Sequence, residues 1–308
     1  LLNETPEARS KRPLERHLAE MRPGGRIYAV FKRAAVGVYI EGFIHAGNIA
    51  YLAILTMFPF FIVMTALAQL FGRQPDVQQA LHGFLATLPR SVSELVSQPI
   101  MEVLKASDAG GAVLWLGCIV GLWTVGSFVE TIRDILYRAY GVKPSRSFLQ
   151  YRAGSIAIII VSVILAMAAF SAQLILTGVE QFVWRILPFS DRLQPLISLS
   201  RIAPLGMLIV ALYGLFVSLT PSKYRMSASP KWPGALFTAV WWIAVTLLLP
   251  VFLGMMGGYG RTYGSLAGVI VTLLFFWLVG LGLVFGAHLN AALAEGTDPS
   301  VKGPPGTE

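Results

Sequence analysis

Apolar residues in this chain come in long runs rather than in alternation. Six stretches, at about 44–71, 112–132, 155–177, 202–220, 234–256 and 265–290, are dominated by Leu, Ile, Val, Ala, Phe and Gly. A run of about 20 apolar residues matches the thickness of bilayer hydrocarbon. None of the six alternates apolar and polar positions with period two, which excludes a membrane β-barrel. Backbone groups in lipid must pair within their own segment, so each run is expected to be a helix. The fold class is therefore all-α: a polytopic membrane helix bundle with six transmembrane helices, residues 26–295 forming a single membrane domain.

Outside the runs the periodicity changes. Over Arg26–Glu41, Ile27, Val30, Phe31, Ala34, Val38 and Tyr39 make an apolar face, and Arg26, Lys32 and Arg33 can reach lipid headgroups. This predicts an N-terminal interfacial helix, broken from residues 1–25 at Pro23-Gly24-Gly25. In the loop from Gln74 to Asp108, Val77, Leu81, Phe84, Leu85 and Leu88 recur at helical spacing, as do Val92, Leu95, Val96, Val103 and Leu104 after Pro89-Arg90. Two short amphipathic helices are expected there, either packed on the bundle or forming a lid over an external opening. Residues 1–25 read as a polar cytoplasmic tail with no signal peptide, and 296–308 as a disordered one.

Composition supports lipid as the solvent. Of 308 residues, 55% are hydrophobic and only 13% are charged. A soluble domain carries roughly 25% charge. The basic residues also set a direction. Seventeen of the 24 Lys and Arg fall in the two tails and alternate loops, and seven in the remaining loops. The positive-inside rule then places both termini in the cytoplasm. The net charge of +8 is thereby assigned to topology and anionic lipid rather than to nucleic acid. Cys118, the one cysteine, lies in an apolar run and reads as a small buried hydrophobe.

Ionisable groups within membrane helices are costly and are candidates for function. Glu41, His45 and Asn48 are spaced i, i+4, i+7 at the inner end of span one and share a helix face. Glu130, Arg133 and Asp134 sit at the inner end of span two, and Ser127 and Tyr137 extend their stripe. His288 and Asn290 lie at the inner end of span six. The topology brings all eight to one depth. There Arg133 would hold an anionic group that the carboxylates orient or exchange protons with; the competing account is that terminal charges only snorkel to water or pair internally. No HExxH or paired-His spacing is present, so neither a metal nor a cofactor is expected.

Backbone breaks are the second signal. Pro59 lies mid-span and is expected to kink span one, while Pro250, Gly254, Gly257 and Gly258 would interrupt span five. Broken helices line substrate sites in transporters, whereas glycine also permits close helix packing, the account that suits Gly117-Gly121, Gly264-Gly268, Gly280, Gly282 and Gly286.

Several blocks resemble a known family. They are Ala50-Tyr51-Leu52 through Phe58-Pro59, Trp123 through Tyr140-Gly141-Val142, Pro233-Gly234-Ala235, and Tyr263-Gly264-Ser265-Leu266-Ala267 followed by Trp277 and Gly286-Ala287-His288-Leu289-Asn290. Together they are similar to the YihY/BrkB family of bacterial inner-membrane proteins, once labelled ribonuclease BN, over about Val36–Glu295. The resemblance implies a six-span protein of the bacterial cytoplasmic membrane. Relatives have been linked with envelope lipid export and serum resistance. No nucleophile–base pair or metal constellation supports the ribonuclease label, and the expectation is a non-enzyme. Two readings follow: a transporter or flippase of a lipid or other amphiphile, or a non-transporting scaffold for envelope assembly. The expected partners are membrane lipids, and small-residue helix faces would allow a homo-oligomer.

Overall fold

The computed structural model describes residues 25–70, 81–82, 85, 88–108, 111–142, 150–165, 199–225, 229–255 and 266–295. Both tails, most of the expected helix before Pro89, the second half of span three, Gly257 and Gly258 lie outside them. Every described element is helical. They are α1 (Gly25–Gly37), α2 (Phe43–Leu70), α3 (Arg90–Asp108), α4 (Gly111–Ala139), α5 (Gln150–Leu165), α6 (Leu199–Leu219), the single turn α7 (Ser222–Arg225), α8 (Trp232–Met255) and α9 (Ala267–Glu295).

Four described helices are long and apolar enough to cross a membrane: Tyr28–Ala66, Trp115–Ala139, Trp232–Met255 and Ala267–Ala294. They match expected spans one, two, five and six. Two shorter apolar helices, Gln150–Leu165 and Leu205–Leu219, fall where spans three and four were expected.

The first long helix differs from its sequence reading. The expected interfacial helix and span one were read as separate elements; a π-helical turn at Val38–Gly42 joins α1 to α2. Small residues make the join possible. Gly37 lies against the His288 ring, and Gly42 against Val38 and Val284. α1 packs on the end of α9, with Val30 and Ala34 against Leu289 and Ala292, and Phe31 6.0 Å from Phe285 between ring centroids.

Two apolar cores fill the two ends of the bundle. One gathers Met57, Phe61 and Met64 of α2, Val92, Val96 and Ile100 of α3, Cys118 of α4, Leu249 of α8 and Phe275 of α9. α3 is thus packed on the bundle through its apolar face. The other end gathers Ile132, Ile135 and Leu136 of α4, Phe216 and Leu219 of α6, Ala235 and Ala239 of α8, and Val284, Ala287 and Ala291 of α9.

Prolines and glycines are accommodated without breaking helices. α2 is helical on both sides of Pro59, and the Pro59 carbonyl packs on Gly121, where an added Cβ would lie 3.0 Å away. α8 runs through Pro250 to Met255, and Gly254 faces open space. Gly282 receives the Trp241 ring, and Gly286 receives Thr238. Glycine at these positions lets α8 and α9 approach closely, as in small-residue interfaces of membrane helices. α4 stops at Gly141, whose φ of 69° suits glycine. Its N–H donates to the Arg138 carbonyl and that of Val142 to Tyr137, satisfying the last carbonyls of the helix.

Candidate functional site

All eight polar residues singled out in the sequence lie at the end of the bundle where the second core sits. They do not converge on one point. Glu41 and His45 pair within their own helix, Oε2 to Nε2 at 3.5 Å, across the π-turn. Asn48 is exposed. Asp134 accepts from Arg138 Nε at 2.8 Å, both half-exposed. His288 packs against the Gly37 backbone.

Asn290 is fully buried and holds the start of α8. Pro233 fits the first turn, where its missing N–H is no loss. The next backbone donor, Gly234 N–H, has no partner within its own helix. Asn290 Oδ1 accepts it at 2.8 Å, while Asn290 Nδ2 donates to the Lys231 carbonyl at 3.0 Å. Lys231 is itself buried, its ammonium donating to the Ser229 carbonyl at 2.8 Å and to the Ser229 hydroxyl at 3.2 Å. Loss of hydration lowers its pKa from the usual lysine value. Asn290→Ala would strand two buried backbone groups. It is expected to cost about 2 kcal/mol of stability, read as a lower melting temperature in detergent; an unchanged melting temperature would refute the capping role.

The main polar feature of the membrane helices joins α4 to α5. Trp123, Ser127 and Glu130 lie one above another at i, i+4, i+7 on α4. Gly126 leaves a gap beside them, and the Arg152 guanidinium of α5 fills it, 3.2 Å from where a Cβ would be. Arg152 is 5% exposed. Its Nη1 lies 3.2 Å from Glu130 Oε2 and donates to Ser127 Oγ at 3.2 Å. Its Nη2 donates to the Trp123 carbonyl, and its charge sits 3.9 Å above the Trp123 ring centroid. Trp123 is 59% exposed and faces outward. Two buried atoms of this group, Glu130 Oε1 and Arg152 Nε, make no hydrogen bond within the described structure.

Arg133 makes the reciprocal contact. Its Nη2 lies over Gly154 of α5, its Nη1 donates to the Tyr151 carbonyl at 3.3 Å, and its guanidinium lies 5.1 Å from the Tyr151 ring centroid. Tyr151 in turn meets Tyr137 edge-on at 6.2 Å. Each helix thus lays an arginine on a glycine of the other. Glu130 pairs with Arg152, and Asp134 with Arg138.

The sequence reading found Glu130, Arg133 and Ser127, and left Arg152 among the loop charges. Its signal was present: a carboxylate about 14 Å of helix before the end of α4 needs a partner, and α5 carries an arginine in its first turn.

At the far end of α4, burial pushes the Tyr140 phenol up to about 12, so it stays neutral at physiological pH. Its ring meets Tyr224 of α7 in a tilted contact, 5.0 Å between centroids. Among the described residues, no three His, Cys, Asp or Glu side chains come together as metal ligands would.

The comparisons agree on kinship. The profile of the family described as virulence factor BrkB matches residues 41–307. The ribonuclease-like protein YfkH of Bacillus subtilis is 29% identical over 256 residues, covering 82% of this chain and 90% of the relative. A UPF0761 membrane protein of Xanthomonas oryzae is 22% identical over 262 residues, covering 81% of this chain. A similar protein of Xanthomonas axonopodis is 21% identical over 262 residues. The chain spans just over half the length of these Xanthomonas relatives, 56% and 57%. No solved structure matches.

Proposed function

Since the chain belongs to the virulence factor BrkB family and carries several membrane-crossing helices, we propose that it binds the anionic headgroup of a lipid or other amphiphile and moves that molecule across the bacterial cytoplasmic membrane. The observation that supports this reading is the seat of Arg152. A buried guanidinium lies against the ring of a tryptophan that faces outward on a membrane-crossing helix. A molecule arriving sideways from the bilayer meets the ring first and the cation behind it. Charges inside membrane helices are costly and are retained chiefly where they act. Arg133 and Tyr151, nearer the end of the hairpin, extend the same cationic surface toward headgroup depth. In this reading both termini are cytoplasmic, by the distribution of basic loop residues. No Walker motif is present in the sequence, so movement draws on an ion gradient or a partner.

The test is mass spectrometry of lipids that co-purify with the protein. One anionic class should be enriched several-fold over the bulk membrane in the wild type and fall to the bulk level in Arg133→Ala. A bulk-like profile in both would favour the scaffold reading, to which the close glycine packing of α8 on α9 lends itself.

A further inference from the structure

The four membrane-crossing helices carry two side-chain amides, Asn48 and Asn290. Asn290 is buried and engaged at both ends. Asn48 is its opposite: it is exposed on α2, and among the described residues nothing meets its amide. Its depth makes that costly. Tyr39 and Glu41 are exposed nearer the end of the same continuous helix. Asn48 lies seven residues past Glu41, about 10 Å further along the axis, and Tyr51 twelve residues past Tyr39, about 18 Å further. In hydrocarbon no water supplies the missing hydrogen bonds.

Asn48 belongs to a pattern. Ile44, Asn48, Tyr51 and Leu55 are all exposed and follow one another at spacings of four, three and four residues. That is the spacing of a helix-pairing seam, in which a single asparagine fixes register and partner number. The opposite side of α2 is already filled, with Met57 and Phe61 in one core and Ile49 in the other. Gly47 borders the seam, and an added Cβ there would meet only the edge of Trp277, at 4.0 Å. The outward faces of α4 and α8 differ in kind. Ile119 and Leu247 are exposed there, and lipid satisfies such apolar groups. The glycines of α4 and α9 that would suit helix pairing are occupied within the bundle, Gly117 by Ile62, Gly121 by Pro59 and Gly280 by Ile49.

We infer that this face of α2 is the interface with a second copy of the chain, in which the Asn48 amides of the two copies hydrogen-bond to each other. The chemistry of the seam selects that occupant. Copies of one chain insert in the same orientation, so a two-fold axis along the membrane normal sets each seam residue beside its own counterpart at one depth. An amide is both donor and acceptor and so satisfies its own kind. Ile44 and Leu55 likewise meet like groups. An acyl chain offers Asn48 neither donor nor acceptor. Hydrogen bonds of this type hold membrane helices together where hydrophobic burial supplies no drive. The inference is independent of what the protein binds or moves.

The experiment is cysteine cross-linking of the full chain in native membranes. With Cys118→Ala as background, single cysteines are placed on the seam, Ile44→Cys and Leu55→Cys, and on exposed positions of other helices, Val210→Cys and Leu247→Cys. Oxidation with copper phenanthroline should give a disulfide-linked dimer several-fold more abundant from the two seam positions than from the other two. In liposomes, energy transfer between fluorescently tagged copies should show the dimer dissociation constant of Asn48→Leu raised about tenfold over the wild type. Asn48→Leu removes no contact within one copy, so its melting temperature in dilute detergent should match the wild type. The cysteine pattern stands as evidence even where that variant folds poorly. Equal dimer yields at all four positions would overturn the inference, as would a higher yield at Val210→Cys than on the seam. So would an Asn48→Leu variant that associates as tightly as the wild type, or seam cysteines that link to a different protein in place of a second copy.

Discussion

Arg152→Ala is expected to be among the most damaging single changes in the chain, lowering stability by about 3 kcal/mol. It leaves the Glu130 carboxylate without its ion-pair partner, and it empties the space over Gly126 and beneath the Trp123 ring. The measurement is the melting temperature of the detergent-solubilised protein, followed by loss of its monodisperse peak. The double variant Glu130→Gln with Arg152→Gln separates charge from packing. Replacing both members of a buried ion pair by neutral groups is often close to neutral, whereas removing one strands the other. The double variant should therefore recover most of the lost stability and still bind no anionic lipid selectively. A double variant as unstable as Arg152→Ala would assign the loss to packing on Trp123 instead of charge.

Gly286→Leu should be at least as severe, for a different reason. An added Cβ alone would lie 2.8 Å from the Gly234 carbonyl and closer still to the Thr238 hydroxyl. The backbone carbonyl cannot swing away as a side chain does, so α8 must move off α9. That separation breaks the Asn290 contacts with Gly234 and Lys231, the Thr238 bond to the Gly282 carbonyl and the Trp241 bond to the Leu278 carbonyl. Overpacking and lost hydrogen bonds together amount to on the order of 5 kcal/mol, enough to remove folded protein from the membrane fraction. Gly214→Ala on α6 is the counterpart. Nothing lies within 4 Å of its added Cβ, and alanine in a helix interior should instead gain about 0.5–1 kcal/mol. Equal expression of the two variants would contradict the distinction.

Much of the fold was legible in the sequence because lipid imposes a simple rule. Long apolar runs must be helices, and α2, α4, α8 and α9 lie where such runs occur. The glycines of α9 also read correctly as packing residues, since close approach needs small side chains whatever the partner. The join at Val38–Gly42 was not legible. The roles of Gly37 and Gly42 depend on His288, Val38 and Val284, which lie against them. Arg152 was missed for a related reason. Counting it as a loop charge treats basic residues near span ends as facing water, whereas its position depends on a glycine and a carboxylate in another helix. Asn290 stood out as polar, but only the neighbouring α8 terminus shows that its amide is engaged at both ends. Tertiary partners, and not local pattern, decided each of these cases.

The packing of α1 on the far end of α9 has a consequence for biosynthesis. Val30 and Ala34 share a cluster with Leu289 and Ala292, groups that leave the ribosome about 260 residues apart. At about 5–20 residues per second, the partner surface follows roughly 13–50 seconds after α1 is made. Throughout that interval α1 must rest on lipid, on an insertase or on a chaperone, and its contact with the bundle forms only when α9 arrives. A ribosome stalled before α9 therefore presents a membrane intermediate whose first helix has no native mate.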